Sequence, residues 1–246
     1  MSRPLANFTR ETRFRALADA VQHCDLCPRM EGRLKVLSGD NGSIRSRVMF
    51  IGEAPGRLGA DRTGVPFAGD RSGDNFETLL GNIGWARDDI FVTNAVLCNP
   101  RSRQGNNDPP SRDEMARCSA FLQMTLELVE PEVVVTLGAV ALQAIALIQP
   151  HTYDLRQGVG ELVPWAGRWL MPMYHPGPRA IIHRALAAQR ADYFKLSKQA
   201  SPHDGLRSRA QRSFSPIQVG GPEDLSRMAH VIMFLLNRLR RVPKFK

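Results

Sequence analysis

Short apolar segments that alternate with helical segments constrain the fold of this chain more than any other feature. Four such segments, rich in β-branched and aromatic residues, are predicted to be buried strands at residues 48–51, 90–93, 133–137 and 169–174. A helical pattern follows each of them. Because parallel strands need a crossover connection, usually a helix, the alternation predicts an α/β fold. We expect three α/β/α layers around a central, mostly four-stranded parallel sheet.

Five helices are predicted beside this sheet, at residues 7–23, 76–83, 111–130, 139–147 and 179–198. A capping box marks the third, with Ser111 as N-cap and Glu114 at the third helical position. Residues 1–198 are therefore expected to form one domain. The composition then changes to Ser, Pro, Gln and Arg at residues 199–221, which predicts a linker or surface loop. Residues 222–246 are expected to form an amphipathic helix with a basic end.

The residues that follow the predicted strands are polar or glycine-rich. Parallel sheets bind ligands in the crevice outside the carboxyl ends of their strands, so these positions should lie along one rim. The segment 53–74 is long and irregular, and such a loop inside a compact domain is usually functional. The candidate rim residues are Glu53, Ala54, Gly56, Asn94, Gly138 and His175.

The chain has four cysteines, at Cys24, Cys27, Cys98 and Cys118. We expect a cytoplasmic protein, in which thiols stay reduced and disulfides are not expected. Cys24 and Cys27 form a C-x2-C turn that aims two thiols at one place and needs two further ligands. Zinc more often uses a second close pair, whereas the remaining cysteines are single and far apart. The spacing therefore favours a 4Fe–4S cluster, with zinc as the alternative.

The formal net charge of +9 points to a polyanionic partner. The excess lies late in the chain, where nine Lys or Arg face three acidic residues from residue 201 onward. A solvated, solubilising surface is the alternative interpretation. No apolar run approaches the ~18 residues of a membrane helix. The N-terminal residues lack the apolar stretch of a secretory signal, so we expect no membrane association.

Three motifs resemble those of a known family. Residues 52–70, which begin Gly-Glu-Ala-Pro-Gly, resemble the first motif of the family 4 and family 5 uracil-DNA glycosylases. Residues 92–100 resemble their second motif, and Tyr174-His175-Pro176 resembles their third. The motifs lie in family order over residues 24–184, and the cysteines occupy family 4 places. The length of the first loop is closer to family 5, and Gly177 stands where both families usually carry Ser.

The resemblance implies a DNA-repair enzyme that flips uracil out of DNA and hydrolyses its N-glycosidic bond, leaving an abasic site. No lysine occupies the matched rim positions, so a monofunctional hydrolase without a Schiff-base lyase step is expected. A monomer that binds single- or double-stranded uracil-DNA and associates with the nucleoid is also implied. Two alternatives stay open. One is a non-catalytic protein that binds damaged or abasic DNA; the other is a zinc-stabilised protein that acts on a nucleotide.

The resemblance also implies roles for rim residues. Phe67 matches the family's stacking residue, which gives the flipped base a face to lie on. Asn94 matches the residue that reads the base, donating to uracil O4 and accepting from N3–H, a pattern cytosine reverses. His175 matches the donor to uracil O2, where negative charge develops. The substrate is also expected to contact Ala54, Gly56 and Gly138.

Three carboxylates on one loop are candidates for orienting the attacking water. Asp70 matches an acidic position of family 5 and ranks first, followed by Glu53 and then Asp61. A negative carboxylate would also offset the positive charge of the sugar in the transition state. The loop at 101–107 and the turn at 177–179 are expected to contact phosphates or to fill the space left by the flipped base.

Overall fold

The protein is described by a computed structural model over residues 9–200. Within that range one sheet is present, with the strand order β2-β1-β3-β5-β4. Its members are β1 (Val48–Gly52), β2 (Ile90–Asn94), β3 (Val133–Leu137), β4 (Val163–Trp165) and β5 (Arg168–Met173). Neighbours among β2, β1, β3 and β5 are parallel, whereas β4 is antiparallel to β5. The predicted parallel arrangement of four strands is confirmed.

The predicted strand count is wrong, because β4 adds a fifth strand at one edge. It joins β5 through a turn at Ala166 and Gly167, whose φ angles of 49° and 75° are both left-handed. The strand has three residues with Pro164 in the middle, so neither its length nor its composition marks a strand. The Tyr153 hydroxyl donates to the Pro164 carbonyl at 2.6 Å and covers the outer side of this strand.

Helices lie on both faces of the sheet. In chain order they are α1 (Arg10–Gln22), α2 (Ala60–Thr63), α3 (Arg71–Gly81), α4 (Arg112–Val129), α5 (Ala139–Ala146), α6 (Leu155–Gly158), α7 (Pro178–Ile181) and α8 (Leu186–Gln199). Helices α1, α4 and α5 pack on one face, and α3 and α8 pack on the other. The three predicted layers are therefore confirmed.

Successive residues of β1 enter opposite halves of the core. Met49 and Ile51 pack with Phe14 of α1, while Val48 and Phe50 pack with Phe76 of α3. Every residue of β1, β2 and β3 is buried. Strands covered on both faces are apolar along their whole length, which is why their sequences read as continuous hydrophobic runs.

Two predicted helices have different bounds in the structure. The helix predicted at 76–83 begins at Arg71, because the Asp70 side chain caps it by accepting a hydrogen bond from the Gly73 N–H at 3.0 Å. The helix predicted at 179–198 is interrupted between α7 and α8. The Ser111 and Glu114 capping box of α4 is confirmed.

The predicted terminal helix at 222–246 lies outside the described residues, as does the linker at 199–221 apart from the end of α8. No helix within residues 9–200 has both the length and the apolar character needed to cross a membrane.

Candidate active site

A cavity of about 360 Å³ opens at the carboxyl edge of the parallel strands. The segment after β1, the end of β2, the segment after β5 and the loop before α4 form its walls. The predicted site residues that line it are Glu53, Ala54, Gly56, Phe67, Asp70, Asn94 and His175. The structure therefore gathers residues from distant parts of the sequence around one space.

A close approach of chain segments lies beside this cavity at Gly52, the last residue of β1. Parallel pairing sets Gly52 beside Asn94 at the end of β2. A Cβ on Gly52 would lie 2.5 Å from Asn94 Oδ1 and 2.8 Å from Phe67 Cε2, so only glycine fits. Asn94 is 3% exposed. Its side-chain amide makes no hydrogen bond to another residue in the described part of the chain, which leaves it available to a ligand.

Phe67 is held in an unusual backbone conformation, with φ at 51°. Its ring contacts Phe76 at a centroid distance of 4.8 Å and His175 at 5.3 Å. Arg87 donates to the Pro66 carbonyl and places its guanidinium 5.6 Å from the centre of the Phe76 ring. The chain just before Phe67 and the ring behind it are therefore held by the same arginine.

His175 follows β5 and is positioned as a neutral hydrogen-bond donor. Burial lowers the pKa of His175 to about 4, and the nearby negative charge of Asp70 offsets only part of this effect. The Gly177 N–H lies 2.9 Å from Nδ1, which must accept that hydrogen bond. The proton of the neutral ring is therefore assigned to Nε2.

Asp70 and Glu53 occupy different environments in the same cavity. Asp70 accepts from the Gly73 N–H through Oδ1, and its Oδ2 lies 2.6 Å from where a Gly56 Cβ would stand. The Glu53 side chain makes no hydrogen bond to any residue within 9–200, although the Glu53 carbonyl accepts from the Val96 N–H at 3.2 Å. Burial raises the pKa of Glu53, although the positive charge of Arg179 acts in the opposite direction. The Asp70 carboxylate is thus held in place by a hydrogen bond, whereas the Glu53 side chain is unbonded and its carboxyl group binds a proton more tightly than usual.

Two predicted site residues do not line the cavity. Asp61 accepts from the Leu34 N–H at 3.2 Å and from Arg101 Nη2 at 2.5 Å, and its side chain is 3% exposed. These contacts occupy both carboxylate oxygens. Gly138 lies behind His175, because a Cβ on Gly138 would contact the His175 Cβ at 3.6 Å.

A second cavity, of about 290 Å³, is lined by all four cysteines. Cys24 and Cys27 come from the turn after α1, Cys98 from the segment after β2 and Cys118 from α4. Burial raises the pKa of each thiol, that of Cys98 to about 12. Across residues 9–200, no three or more His, Cys, Asp or Glu side chains form a group that could hold a metal ion. The thiols border a space and do not converge on one point.

Comparison with known families gives a match over residues 40–197 to the uracil DNA glycosylase superfamily. The chain belongs to this superfamily. The matched residues include the whole sheet and every residue that the sequence motifs placed on the rim.

Individual members of the superfamily resemble the chain at moderate identity. The type-4 uracil-DNA glycosylase of Thermotoga maritima is 34% identical over 69% of this chain and 84% of its own length. The type-4 uracil-DNA glycosylase of Saccharolobus solfataricus is 37% identical over 50% of this chain and 54% of its own length. The type-5 uracil-DNA glycosylase of Thermus thermophilus is 29% identical over 65% of this chain and 85% of its own length. The mixed type-4 and type-5 motif features thus agree with similarity to both groups.

The sequence prediction missed Asn99, which lines the cavity and joins two of the loops around it. Asn99 is 1% exposed. Its Nδ2 donates to the Pro55 carbonyl at 2.5 Å and to Asn107 Oδ1 at 3.0 Å, while its Oδ1 accepts from Arg101 Nε at 2.7 Å. The amide therefore holds the Glu53 loop against the loop before α4. Its only sequence signal was its place in the second motif.

The close approach at Gly52 predicts an unequal effect of two alanine substitutions. Gly52→Ala should lower the free energy of unfolding by about 1–3 kcal/mol, because the new methyl group overlaps Asn94 and Phe67. Gly81→Ala is the control, since a Cβ at Gly81 in α3 meets nothing within 4 Å. It should raise the free energy of unfolding by about 0.5–1 kcal/mol. Urea unfolding measures both, and a Gly52→Ala protein of unchanged stability would refute the packing described for this cavity.

Proposed function

We propose that the protein removes uracil from DNA by hydrolysing the N-glycosidic bond and leaving an abasic site. The observation that carries this proposal is that one cavity gathers the Phe67 ring, the Asn94 amide, the neutral His175 imidazole and the carboxylates of Glu53 and Asp70. A base inside a duplex is shielded, so an enzyme must extrude it into such a cavity. The relatives named as type-4 and type-5 uracil-DNA glycosylases support the same activity.

Phe67 and Asn94 are proposed to recognise the flipped base. The Phe67 ring offers a flat face, and base–aromatic stacking contributes about 1–3 kcal/mol. The Asn94 amide donates to uracil O4 and accepts from N3–H. Cytosine presents the reverse pattern, which leaves buried polar groups unpaired at about 1–3 kcal/mol each. The backbone at Ala54 and Gly56 forms the wall beside the base, where side chains are small.

His175 is proposed to stabilise the departing base. As the glycosidic bond breaks, negative charge develops on uracil O2 and positive charge on the sugar. A neutral imidazole with its proton on Nε2 donates to that oxygen without first gaining a proton. Because burial holds the pKa of His175 at about 4, this donor is present throughout the neutral range.

Asp70 is proposed to orient the attacking water, with Glu53 as the second candidate. The Asp70 carboxylate is fixed at the N-terminus of α3, where the helix dipole stabilises negative charge. It can therefore offset the positive charge on the sugar as well as hold the water. Glu53 has no such anchor, but its raised pKa suits proton abstraction. Asp61 is left out of the proposed chemistry because Leu34 and Arg101 occupy its oxygens.

Ile182 is proposed to enter the base stack when the base leaves it. The residues Pro178, Arg179 and Ala180 line the cavity, and the chain continues from them to Ile182. Ile182 is 84% exposed, the largest exposed fraction among the large apolar side chains of the described residues. Apolar wedges of this kind fill the gap between base steps in other DNA-binding proteins. The position beside the cavity mouth suits that role.

Cys24, Cys27, Cys98 and Cys118 are proposed to hold a 4Fe–4S cluster. All four thiols border one cavity, and a cluster needs more widely spaced ligands than a single zinc ion does. Lys35 and Arg117 line the same cavity, as do Asp25, Glu31 and Glu114, so charged side chains of both signs lie beside the thiols. When bound, the cluster would connect the turn after α1, the segment after β2 and α4.

The division of labour in the cavity gives a first test. His175→Ala should slow single-turnover excision by about 10²–10³-fold while uracil-DNA binding is retained, because the lost donor acts mainly in the transition state. Asp70→Asn preserves size and removes the charge, and it should slow the same step. Asn94→Asp should instead reduce discrimination between uracil and cytosine. Release of free base from a uracil-containing oligonucleotide measures all three.

Glu53→Gln serves as the matched variant for the water assignment. If excision collapses in Glu53→Gln and stays near the wild-type rate in Asp70→Asn, Glu53 is the catalytic carboxylate. If all variants of His175, Asp70 and Glu53 remain fully active, the assignment of this cavity is wrong. Wild-type protein that binds uracil-DNA but releases no base would instead indicate a binding protein.

The proposed wedge predicts a dependence on strandedness. Ile182→Ala should slow excision from double-stranded DNA more than from single-stranded DNA, because only the duplex has a stack that closes behind the flipped base. Phe194→Ala is the control, since Phe194 on α8 is 41% exposed and does not line the cavity. Equal rates for wild type and Ile182→Ala on duplex substrate would exclude the role.

The proposed cluster predicts iron in the purified protein. Protein prepared without oxygen should contain about four irons per chain and absorb broadly in the visible range. Cys98→Ser should lose iron and solubility while the preference for uracil over other bases is retained. One zinc ion per chain and no iron would contradict the assignment.

A further inference from the structure

Arg29 contacts four acceptor atoms, two on the segment that leads into α4 and two on Glu114 in the first turn of α4. Its Nε and Nη2 donate to the two carboxylate oxygens of Glu114 at 2.8 and 2.6 Å. Its Nη1 donates to Asp108 Oδ2 at 2.5 Å, and Nη2 also donates to the Pro109 carbonyl at 3.1 Å. Arginine is suited to this arrangement because its planar group presents donors in a fixed fork.

These contacts connect the two cavities of the protein. Arg29 follows Cys27 by two residues, and Cys27 lines the cysteine cavity. Glu114 lines the same cavity, one helical turn before Cys118 on α4. Asp108 instead lines the cavity of Glu53, Asn94 and His175, which is the base cavity of the proposed function. A single guanidinium therefore joins the cysteine turn, the start of α4 and one wall of the base cavity.

The connection extends to the opposite wall through Asn107. Its Oδ1 accepts from the Arg57 N–H at 2.9 Å and from Asn99 Nδ2 at 3.0 Å. Arg57 directly follows Gly56 in the loop that carries Glu53. A displacement of the segment 101–109 would therefore reach the loop that holds the proposed carboxylates.

We propose that Arg29 is a positioning residue that couples the cysteine turn to the base cavity. The segment 101–109 takes the arrangement that closes the cavity only when Arg29 holds Asp108 and Glu114. Without Arg29, the Glu114 side chain, which is 7% exposed, and the neighbouring Asp108 lose their shared positive charge. Without the Arg29 guanidinium between them, the two carboxylates repel each other and separate. The segment 101–109 then moves away from the base cavity. The catalytic consequence rests on the proposed function, whereas the coupling itself does not.

Amide hydrogen exchange of the segment 101–109 tests the coupling directly. In R29Q and in D108N, exchange of this segment should be about tenfold faster or more, because its local opening costs less free energy. R45Q is the control, since the Arg45–Glu11 pair is exposed and touches neither cavity. Iron content should match wild type in all three. Single-turnover excision should fall by about ten- to a hundredfold in R29Q and D108N, the range expected for a small misplacement of catalytic groups.

A double variant separates coupling from general destabilisation. R29Q with D108N should exchange no faster than R29Q alone, because both changes break the same contact. Cys27→Ser should speed exchange of residues 101–109 in the wild-type background and add nothing in the R29Q background. R29K, which keeps the charge and loses the fork, should show intermediate exchange.

Wild-type exchange of residues 101–109 in R29Q and D108N would overturn the proposal. If R29Q does not fold, D108N decides, since it leaves the Arg29–Glu114 contacts in place. If the wild-type protein releases no uracil, the proposed function fails. The exchange measurement still distinguishes a coupled segment from an independent one in that case.

Discussion

The site depends on the parallel register of β1 and β2, which sets Gly52 beside Asn94. That register brings a side-chain amide and the Phe67 ring within reach of the same point, and the absence of a side chain at Gly52 leaves room for both. Backbone hydrogen bonds of the sheet hold Asn94 at its strand end, whereas Phe67 lies on a loop and is held by the contacts of Arg87 and Phe76. The loops at 53–59 and 99–108, which follow these strands, are joined to each other by the buried amide of Asn99.

The charges around the base cavity suit the proposed reaction, which separates charge. Burial lowers the pKa of His175 to about 4, so in the proposed reaction it would donate to the base without adding a cation near the sugar. Asp70 and Glu53 supply negative charge, and Asp70 is held by the start of α3. A positive sugar and a negative base would thus each meet a complementary group. Preorganised groups of this kind avoid the cost of reorienting solvent during the reaction.

The sequence predicted the parts of this structure that follow from periodicity and from strand ends. The four buried strands followed from their apolar runs, and the capping of α4 from Ser111 and Glu114. The gathering of Glu53, Asn94 and His175 followed because parallel strands end at one edge of the sheet. The remaining features depend on tertiary contacts. The three-residue strand β4 forms only because β5 lies beside it, and the pairing of Asp61 with Arg101 joins residues 40 positions apart. Arg29 gave no signal, since its partners lie 79 to 85 positions away.

Both outer strands of the sheet are closed to further pairing. At one edge, Pro164 has no N–H to donate, and the Tyr153 hydroxyl already occupies its carbonyl. At the other, Gly42 bridges to Phe91 and the Asn41 amide donates to the Val92 carbonyl at 2.7 Å. An extended peptide or a second sheet edge would find few backbone groups with which to form a ladder. The fold is thereby protected against edge-to-edge aggregation.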